Sequence, residues 1–323
     1  MSRIGVIGAG AFGTGLGCAI ARAGHDVVLW ARDGAQVSRM QETGRNDRYL
    51  PEVMFPATLM ATANFDDLQD LSALLVVVPA QQLRGFLQEH DLTLYTCPIV
   101  FCAKGLETGT GMLQTQIAQD QQITAPMAVI SGPGFAGEIA QGKPTALSIA
   151  CADSDMGQRL QAELSSASLR LYLTDDIAGV QLGGALKNVY AIACGIVVGA
   201  DLGESARAAL LTRGFAEMSR LAQALGAKAE TLAGLSGFGD LALTCTSPQS
   251  RNFAFGEVLG RSGDFGTGTT VEGIATARAL VELADNHSIE MPIARVVADV
   301  LEKKLTVPQA LKTLMARPLK KES

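Results

Sequence analysis

Lys187 is the residue of this sequence whose setting most clearly suggests chemistry. It is the only charged residue between Asp176 and Asp201, in an apolar run rich in glycine and alanine that is typical of a buried helix. An unpaired lysine is seldom fully buried, because removing its charge from water is costly. Two interpretations remain open at this point: a lysine that reaches solvent at a helix bend, and a catalytic lysine facing a substrate cleft.

The neighbours of Lys187 on the same helix face are small. Residues at helical spacing from it are Gly183, Gly184, Ala191 and Gly195. A face with almost no side chains lets something bulky approach closely, either another backbone or a ligand.

Two further charged groups could act with Lys187. Lys104 follows a predicted strand in the segment FCAKGLE, and the carboxyl ends of parallel strands border the ligand crevice. Asp240 lies in a predicted glycine-rich bend and is well placed to orient an ammonium group. With three histidines, none in a metal-ligand pair or a nucleophile relay, acid–base chemistry falls to a lysine. A solvated loop lysine is the alternative for Lys104.

Other segments suggest contacts to a phosphorylated ligand. Arg251 and Asn252 open a predicted helix, where arginine and free backbone N–H groups make a phosphate clamp. The turn SGPGFA is rigid at Pro133 and has no side chains at Gly132 and Gly134, which suits backbone contact with cofactor or substrate. The alternatives are an ordinary strand–helix turn for SGPGFA and capping or surface chemistry for the helix start.

A glycine-rich turn follows the first predicted strand. It reads Gly8-Ala9-Gly10-Ala11-Phe12-Gly13, with a helical stretch after it and a second strand at Asp26–Trp30. In this context the first glycine permits the tight turn, the second lets the backbone approach a pyrophosphate, and the third lets the helix pack on the strand. The helix N-terminus then stabilises the phosphate charge, which predicts a dinucleotide site.

Arg32 stands after the second strand, where a strict NAD site usually has an acid for the ribose 2′-hydroxyl. An arginine there suits the 2′-phosphate of NADP, so we expect NADPH to serve at least as well as NADH. Asp33 follows directly, and an exposed arginine that stacks on adenine without selecting a cofactor is the alternative.

The secondary-structure elements that could position these groups fall into two parts of the chain. The first half alternates apolar β-branched runs with helical segments, which predicts a mostly parallel sheet covered by helices. After Thr174 the strand signal vanishes and the chain is predicted to be helical. We therefore predict a Rossmann-type domain at 1–174 and an all-helical substrate domain at 175–323. The predicted strands are Arg3–Ile7, Asp26–Trp30, Ala73–Val78, Ile99–Ala103, Met127–Ser131, Thr145–Ala150 and Leu169–Leu173. The predicted later helices are Asp175–Val198, Glu204–Leu225, Glu230–Ser236, Arg251–Gly260, Ile274–Asp285, Pro292–Leu301 and Pro308–Met315.

Composition narrows the class of protein. The 323 residues suit two domains, and the net charge of −6 with no basic block argues against nucleic acid as a partner. The six scattered cysteines form no CxxC pair, so we expect reduced thiols, no metal site and a cytoplasmic protein. The start enters a strand at once and the apolar runs are short or broken by glycine, so neither a signal peptide nor membrane insertion is expected.

The motifs GAGAFGT, NDRYLP, CAKGLE, SGPGFA, GGALKNVYAIACGI, GFGDLALTC, SRNFAFG and VEG occur in this order. Together they resemble the bacterial NAD(P)-dependent glycerol-3-phosphate dehydrogenase family over nearly the whole chain. The resemblance implies reversible reduction of dihydroxyacetone phosphate to sn-glycerol 3-phosphate for phospholipid synthesis. It also implies a Rossmann-type domain followed by a helical domain like that of 6-phosphogluconate dehydrogenase.

Site residues follow motif by motif from this resemblance. It implies that Lys187 is the catalytic base, that Lys104 contacts both cofactor and substrate, and that Asp240 holds substrate. One departure is Gly134, where the family usually has Ser or Thr, so this position loses a hydroxyl contact. The implied cofactor contacts, with the glycines of the turn, are Gly8, Gly10, Ala11, Phe12, Gly13, Arg32, Lys104, Ala136, Arg251, Val271 and Glu272. The candidate substrate contacts are Lys104, Gly132, Gly134, Lys187, Asn188, Asp240, Thr244, Ser250, Arg251 and Asn252.

The sequence leaves two alternative functions open. A related two-domain hydroxy acid or ketopantoate dehydrogenase shares the glycine-rich start and a catalytic lysine, but it need not have the SRN and GDLALTC motifs. A non-enzymatic dinucleotide sensor would usually carry a partner-binding module, and it leaves Lys187 unexplained. Oligomeric state is open, although the apolar surface of the helical part could support a homodimer.

Overall fold

The apolar runs of the first half form a sheet in the computed structural model of the chain, which describes residues 2–262 and 271–318. The strands are β1 (Arg3–Ile7), β2 (Asp26–Trp30), β3 (Arg45–Asn46), β4 (Leu50–Met54), β5 (Leu59–Thr62), β6 (Ala73–Val76), β7 (Ile99–Phe101), β8 (Met127–Ser131), β9 (Thr145–Cys151) and β10 (Leu169–Thr174). The large sheet has eight strands in the order β10-β9-β8-β7-β6-β1-β2-β5. All of its pairs are parallel except β8 with β9, and β3 pairs with β4 in a separate antiparallel hairpin.

Both faces of the central strands β6, β7 and β8 are buried, which is why these strands lack polar alternation. In β1, Val6 packs into a core shared with Leu16 and Ile20 of the first helix. The next residue, Ile7, packs on the opposite face with Phe86 and Ile117. The strand order places the carboxyl ends of β1, β2 and β6 side by side, where the glycine-rich turn and Arg32 follow.

Helices cover the sheet and build the second part of the chain. The helices beside the sheet are α1 (Ala11–Arg22), α2 (Gly34–Thr43), α3 (Leu83–Glu89), α4 (Gln114–Asp120), α5 (Ala136–Ala140) and α6 (Ser154–Leu164). The later helices are α7 (Ile177–Gly199), α8 (Glu204–Ala224), α9 (Ala229–Ala233), α10 (Asp240–Thr246), α11 (Arg251–Ser262), α12 (Glu272–Asn286), α13 (Pro292–Leu301) and α14 (Val307–Met315). Short 3₁₀ turns lie at Phe65–Asp67 and Ala80–Gln82, and a π-helical turn at Leu235–Gly239 precedes α10.

The helix α7 forms the centre of the helical core. Among the described residues it alone is long and apolar enough to cross a membrane, and 83% of that stretch is buried inside the protein. Asp176 caps its start by accepting a hydrogen bond from Gly179 N, and its second oxygen accepts from Lys228 N before α9. One buried carboxylate therefore fixes the entry of α7 relative to α9.

Most helices and strands begin and end within a few residues of their predicted bounds, and several short strands were not predicted. The parallel sheet, the helical second half and the capping box of Thr306 with Gln309 are confirmed. The strands β3, β4 and β5 were not predicted, because they are short and lack an apolar run. The predicted helix Glu230–Ser236 is wrong at its end, since α9 stops at Ala233 and a π-helical turn follows. The last strand ends at Thr174, and the domain division there stays a prediction.

A buried carboxylate links three helices of the second part. Glu217 of α8 is 3% exposed. Its oxygens accept hydrogen bonds from Ile293 N (2.9 Å) and Ala294 N (3.3 Å) at the start of α13. Tyr190 of α7 donates its hydroxyl at 3.4 Å. Burial raises the pKa of Glu217 from 4.5 to about 7, although the two N–H groups, Tyr190 and the Arg220 charge oppose the shift.

This raised pKa predicts a pH-dependent stability. Because the folded chain holds a proton on Glu217 that the unfolded chain releases, the contribution is present below pH 4.5 and is lost as pH rises through about 7. We expect Glu217→Gln to remove on the order of 3 kcal/mol from the pH dependence of the free energy of unfolding. Denaturant unfolding across this window measures it, with Glu282→Gln on the exposed face of α12 as the control. An unchanged pH dependence in Glu217→Gln contradicts the prediction.

Candidate active site

Lys187 does not reach solvent and is paired inside the protein. It lies in the middle of α7 and is 6% exposed. Its Nζ donates to Oδ1 of Asp240 and, at 2.6 Å, to the hydroxyl of Thr244, both on α10. Asp240 itself is 1% exposed. The structure thus brings together three of the predicted site residues and excludes the interpretation of a lysine at a helix bend.

Lys104 approaches the same carboxylate from the sheet. Its Nζ donates to Oδ2 of Asp240 at 2.6 Å and to the carbonyl of Gly132 at 2.9 Å. The ammonium also lies 5.7 Å from the centroid of the Phe12 ring. Asp240 therefore holds one lysine with each oxygen, and the two positive charges share one negative charge.

The pKa of Lys187 reflects this arrangement. It is lowered from 10.5 to about 8: burial is the largest cause, the Asp240 carboxylate opposes it, and the positive charge of Lys104 adds to the lowering. A lysine with this pKa exchanges a proton readily near neutral pH, which suits general acid–base chemistry.

The glycines beside Lys187 let other parts of the protein approach α7 closely. A Cβ at Gly183 would lie 2.4 Å from the carbonyl oxygen of Ser236, in the turn before Asp240. A Cβ at Gly184 would lie 2.4 Å from Oγ of Ser131 and 3.3 Å from Cγ of Lys104. Only glycine at both positions lets α7 contact the Asp240 turn and the Lys104 strand end together.

A second glycine contact places α11 against α7. Cβ atoms at Gly195 and Gly199 would lie 2.1 and 2.0 Å from carbonyl oxygens of α11. Cβ atoms at Gly256 and Gly260 of α11 would lie 2.1 and 2.4 Å from carbonyl oxygens of α7. This reciprocal backbone contact fixes where α11 begins relative to Lys187.

Asp240 is not in a bend, as the sequence predicts, but is the first residue of α10. The glycines before it form the π-helical turn, and Gly237 packs on the carbonyl of Leu232 so closely that a Cβ there would lie 1.9 Å away. The prediction was wrong because a π-helical turn has no recognisable sequence pattern. Thr244 lies one helical turn after Asp240 and thus shares its face.

The predicted SRN segment begins α11, but its side chains differ in their contacts. Ser250 Oγ accepts a hydrogen bond from Phe253 N and caps the helix. Asn252 donates to Oδ1 of Asn188 at 2.9 Å and accepts from Gly273 N at 3.0 Å, so its amide joins α11 to α7 and α12. Arg251 is exposed. The Nδ2 of Asn188, next to Lys187, is buried and has no hydrogen-bond partner in the described chain.

Val271 and Glu272 lie at the start of α12, with Val271 as the residue before its first turn. Burial raises the pKa of Glu272, and the charges of Arg251, Lys104 and Lys187 oppose that shift. The carboxylate is therefore close enough to feel all three cations, on the side of the site formed by α11 and α12.

Geometry at the glycine-rich turn fits a dinucleotide pyrophosphate. Gly8 has a φ of +108°, and Gly13 packs so closely on Gly8 that a Cβ would lie 2.1 Å from its carbonyl oxygen. A Cβ at Gly10, by contrast, would meet nothing within 4 Å, so the space above it is open. Ala11 and Phe12 form the first turn of α1. The protein needs glycine at the first and third positions, and the second leaves room for a ligand.

Arg32 and Asp33 play different parts at the end of β2. Asp33 caps α2 by accepting hydrogen bonds from Ala35 N (3.0 Å) and Gln36 N (3.2 Å). Arg32 is exposed at the carboxyl edge of the sheet. The Asp33 carboxylate therefore serves as a helix cap.

The SGPGFA turn leads from β8 into α5. Gly132 has a φ of +145°, and its carbonyl holds Lys104. A Cβ at Gly134 would point at ends of the apolar side chains of Ile139 and Leu147 and at the Thr145 methyl, 3.0 to 3.4 Å away. Ala136, the first residue of α5, places its carbonyl where only Gly15 of α1 fits.

Sequence reasoning missed the residues that hold the Lys104 loop. Gln114 is 1% exposed, and its Nε2 donates to the carbonyl of Gly105 at 2.7 Å. Thr115, beside it on α4, exchanges two hydrogen bonds with Gln181 of α7, at 3.2 and 2.9 Å. These polar residues connect the loop after Lys104 to the helix that carries Lys187. Polar residues such as these carry no signal of burial in the sequence.

Comparisons with known proteins match the whole chain. The N-terminal profile of the NAD-dependent glycerol-3-phosphate dehydrogenases matches residues 3–157, and the C-terminal profile matches residues 176–312. A Roseobacter denitrificans protein named glycerol-3-phosphate dehydrogenase, NAD(P)+, is 51% identical over 321 residues, 99% of each chain. A Cereibacter sphaeroides protein of the same name is 50% identical over 319 residues, 99% of this chain and 100% of that one. The crystal structure of glycerol-3-phosphate dehydrogenase from Coxiella burnetii has a TM-score of 0.92 and 40% identity, covering 98% of this chain and 99% of that one.

The SGPGFA turn yields a prediction about serine substitutions. We expect Gly134→Ser to change the free energy of unfolding by less than about 1 kcal/mol, because the neighbouring side-chain ends can shift and because replacing glycine lowers the conformational entropy of the unfolded chain. Gly132→Ser is the matched variant in the same turn. Its positive φ and a Cβ 3.1 Å from Cα of Leu147 should make it cost at least about 2 kcal/mol. Thermal unfolding measures both, and equal losses contradict the prediction.

Proposed function

The chain belongs to the NAD-dependent glycerol-3-phosphate dehydrogenase family, and we propose that it catalyses the reversible reduction of dihydroxyacetone phosphate to sn-glycerol 3-phosphate. The observation that carries the proposal is the buried cluster of Lys187, Asp240 and Lys104, which supplies a proton donor of suitable pKa. The glycine-rich turn of the same molecule fits a dinucleotide. We further propose that the product serves glycerophospholipid synthesis in the cytoplasm, which the six free thiols of the described chain support.

Lys187 is the group that exchanges a proton with the substrate. In the direction of reduction its ammonium donates a proton to the carbonyl oxygen, which becomes the new hydroxyl. In the direction of oxidation the neutral amine accepts that proton. Its pKa of about 8 keeps both forms accessible near neutral pH.

Asp240 and Lys104 position the reaction. Asp240 holds Lys187 in one orientation and keeps its ammonium form populated, because the carboxylate opposes the loss of a proton. Lys104 donates to Gly132 and Asp240. It is the second cation available to bind a substrate oxygen. Thr244 fixes Lys187 Nζ from a second side, so the proton is held at one point.

The phosphate is gripped at the start of α11. Arg251 is exposed there, and the first N–H groups of the helix lack partners within the helix. Ser250 and Asn252 orient this end of the helix, and the free Nδ2 of Asn188 adds a donor between the phosphate site and Lys187. Binding energy from the phosphate can then orient the reacting carbon at Lys187.

Cofactor contacts follow the turn after β1. Gly8, Gly10 and Gly13 shape it, Ala11 and Phe12 begin α1, and NADH or NADPH supplies a hydride when bound. Arg32 is the contact for the adenosine ribose, and the residues closer to Lys104 complete the site. These are Ala136, Arg251, Val271 and Glu272.

A homodimer through the apolar surface of the helical part remains our proposal for the assembly, and light scattering tests it. The hydroxy acid and ketopantoate dehydrogenases and the dinucleotide sensor are disfavoured by the full-length match to glycerol-3-phosphate dehydrogenases. A sensor also leaves the buried lysine cluster without a role.

Lys187 gives the test of the proposal. We expect wild type to oxidise NADH or NADPH at 340 nm in the presence of dihydroxyacetone phosphate. Lys187→Met should lower turnover by roughly two to four orders of magnitude, because the proton donor is lost. Cofactor binding should persist, since Lys104 still pairs with Asp240. Lys304→Met, a change at an exposed lysine, is the control. Near-normal turnover in Lys187→Met contradicts the assignment, and absence of activity in wild type contradicts the substrate.

Arg32 gives a prediction about the choice of cofactor. We expect Arg32→Ser to raise KM for NADPH by about 10- to 100-fold, because charge-assisted hydrogen bonds to the 2′-phosphate are lost. KM for NADH should change by less than about threefold, as this cofactor has no phosphate there. Arg39→Ser, at an exposed arginine of α2, controls for the change in net charge. A parallel rise in both KM values shows that Arg32 does not select the 2′-phosphate.

A further inference from the structure

A buried amide lies beneath the glycine-rich turn. Asn46, in β3, is fully buried. Its Nδ2 donates to the carbonyl of Ala9 at 2.9 Å and to the hydroxyl of Thr14 at 2.8 Å. The Nε2 of Gln36, in α2, donates to the same carbonyl at 3.0 Å. Two side-chain amides from outside the β1–α1 unit therefore hold one carbonyl of the turn.

These bonds fix the orientation of the peptide between Ala9 and Gly10. In a trans peptide the C=O and the N–H point in opposite directions from one rigid plane. A carbonyl of Ala9 that is held inward thus turns the N–H of Gly10 outward. The space on the side of Gly10 is open, since a Cβ there would meet nothing within 4 Å.

The N–H of Gly10 donates no hydrogen bond to any residue within 2–262 and 271–318. An N–H that points outward at the start of a helix is a donor for a phosphate oxygen. Without the two amides the peptide could rotate, and the donor would no longer be preorganised.

The hairpin of β3 and β4 supplies the rigidity that this role needs. Leu50 and Val53 of β4 pack into the core between the sheet and α1. Asn46 faces Leu50 across the hairpin, and its Oδ1 accepts from Gln36 at 3.4 Å. The amide is therefore anchored from the hairpin, from α2 and from α1.

We propose that Asn46 is a positioning residue for the dinucleotide pyrophosphate, acting with Gln36 through the Ala9–Gly10 peptide. The inference rests on the proposed use of NADH or NADPH. It adds a residue of a separate hairpin to the cofactor site, without direct contact to the cofactor. Because the pyrophosphate is common to both cofactors, Asn46 affects them equally, in contrast to Arg32.

Binding titrations of NADH and NADPH, followed by nicotinamide fluorescence, test the proposal. We expect Asn46→Leu to raise Kd for both cofactors by about 10-fold and Gln36→Leu by about three- to 10-fold. With saturating cofactor, kcat should change by less than about threefold. A merely structural role would lower the melting temperature and the active fraction while leaving Kd unchanged.

Gln41→Leu is the matched control, because Gln41 also lies on α2 and donates to a backbone carbonyl, that of Ala61, at 2.9 Å. Its Kd should stay within about twofold of wild type. Unchanged Kd values in folded Asn46→Leu and Gln36→Leu overturn the proposal, as does an equal rise in Gln41→Leu. If Asn46→Leu does not fold, Gln36→Leu alone decides. Cofactor binding by wild type without turnover contradicts the proposed reaction, not this inference.

Discussion

One carboxylate shared by two lysines is the constraint on which the rest of the site depends. Asp240 is buried and gives one oxygen to Lys187 and the other to Lys104. Without Asp240 the two ammonium groups would repel each other. Without the two lysines, the buried carboxylate of Asp240 would carry an unpaired charge. Lys187 comes from a central helix and Lys104 from the loop after β7, at the carboxyl end of that strand, so the ion cluster joins the two parts of the chain.

Glycine is what makes this cluster geometrically possible. Gly183 and Gly184 let α7 contact the turn before Asp240 and the end of the Lys104 strand, where any side chain would collide with backbone or buried groups. Glycines also let the backbones of α7 and α11 contact each other where the two helices cross, and this contact fixes the start of α11 relative to Lys187. Burial then lowers the pKa of Lys187 enough for proton transfer, while Asp240 prevents a larger shift. Packing, electrostatics and chemistry are thus set by the same few close contacts.

The sequence predicted much of this site because its strongest signals were local. A single charge in a long apolar run identified Lys187, and a strand–glycine turn–helix pattern identified the dinucleotide turn. It could not say whether the bare face of α7 meets a backbone or a ligand, since both require glycine. It also missed Asn46 and Gln114, because a buried amide and a solvated one look alike in sequence when their partners lie far along the chain. The start of α10 at Asp240 was missed for a different reason, because the π-helical turn before it has no recognisable sequence pattern.

Direct measurement of the Lys187 pKa tests the central claim, that a buried lysine held by Asp240 exchanges the proton of the reaction. NMR titration of enzyme labelled in its lysine side chains gives this value, with the spectrum of Lys187→Met assigning the signal. The account predicts a pKa of about 8, well below the 10.5 of an ordinary lysine. It also predicts a still lower value in Asp240→Asn, because the carboxylate raises the pKa. A pKa near 10.5, or one that does not fall in Asp240→Asn, would contradict the account.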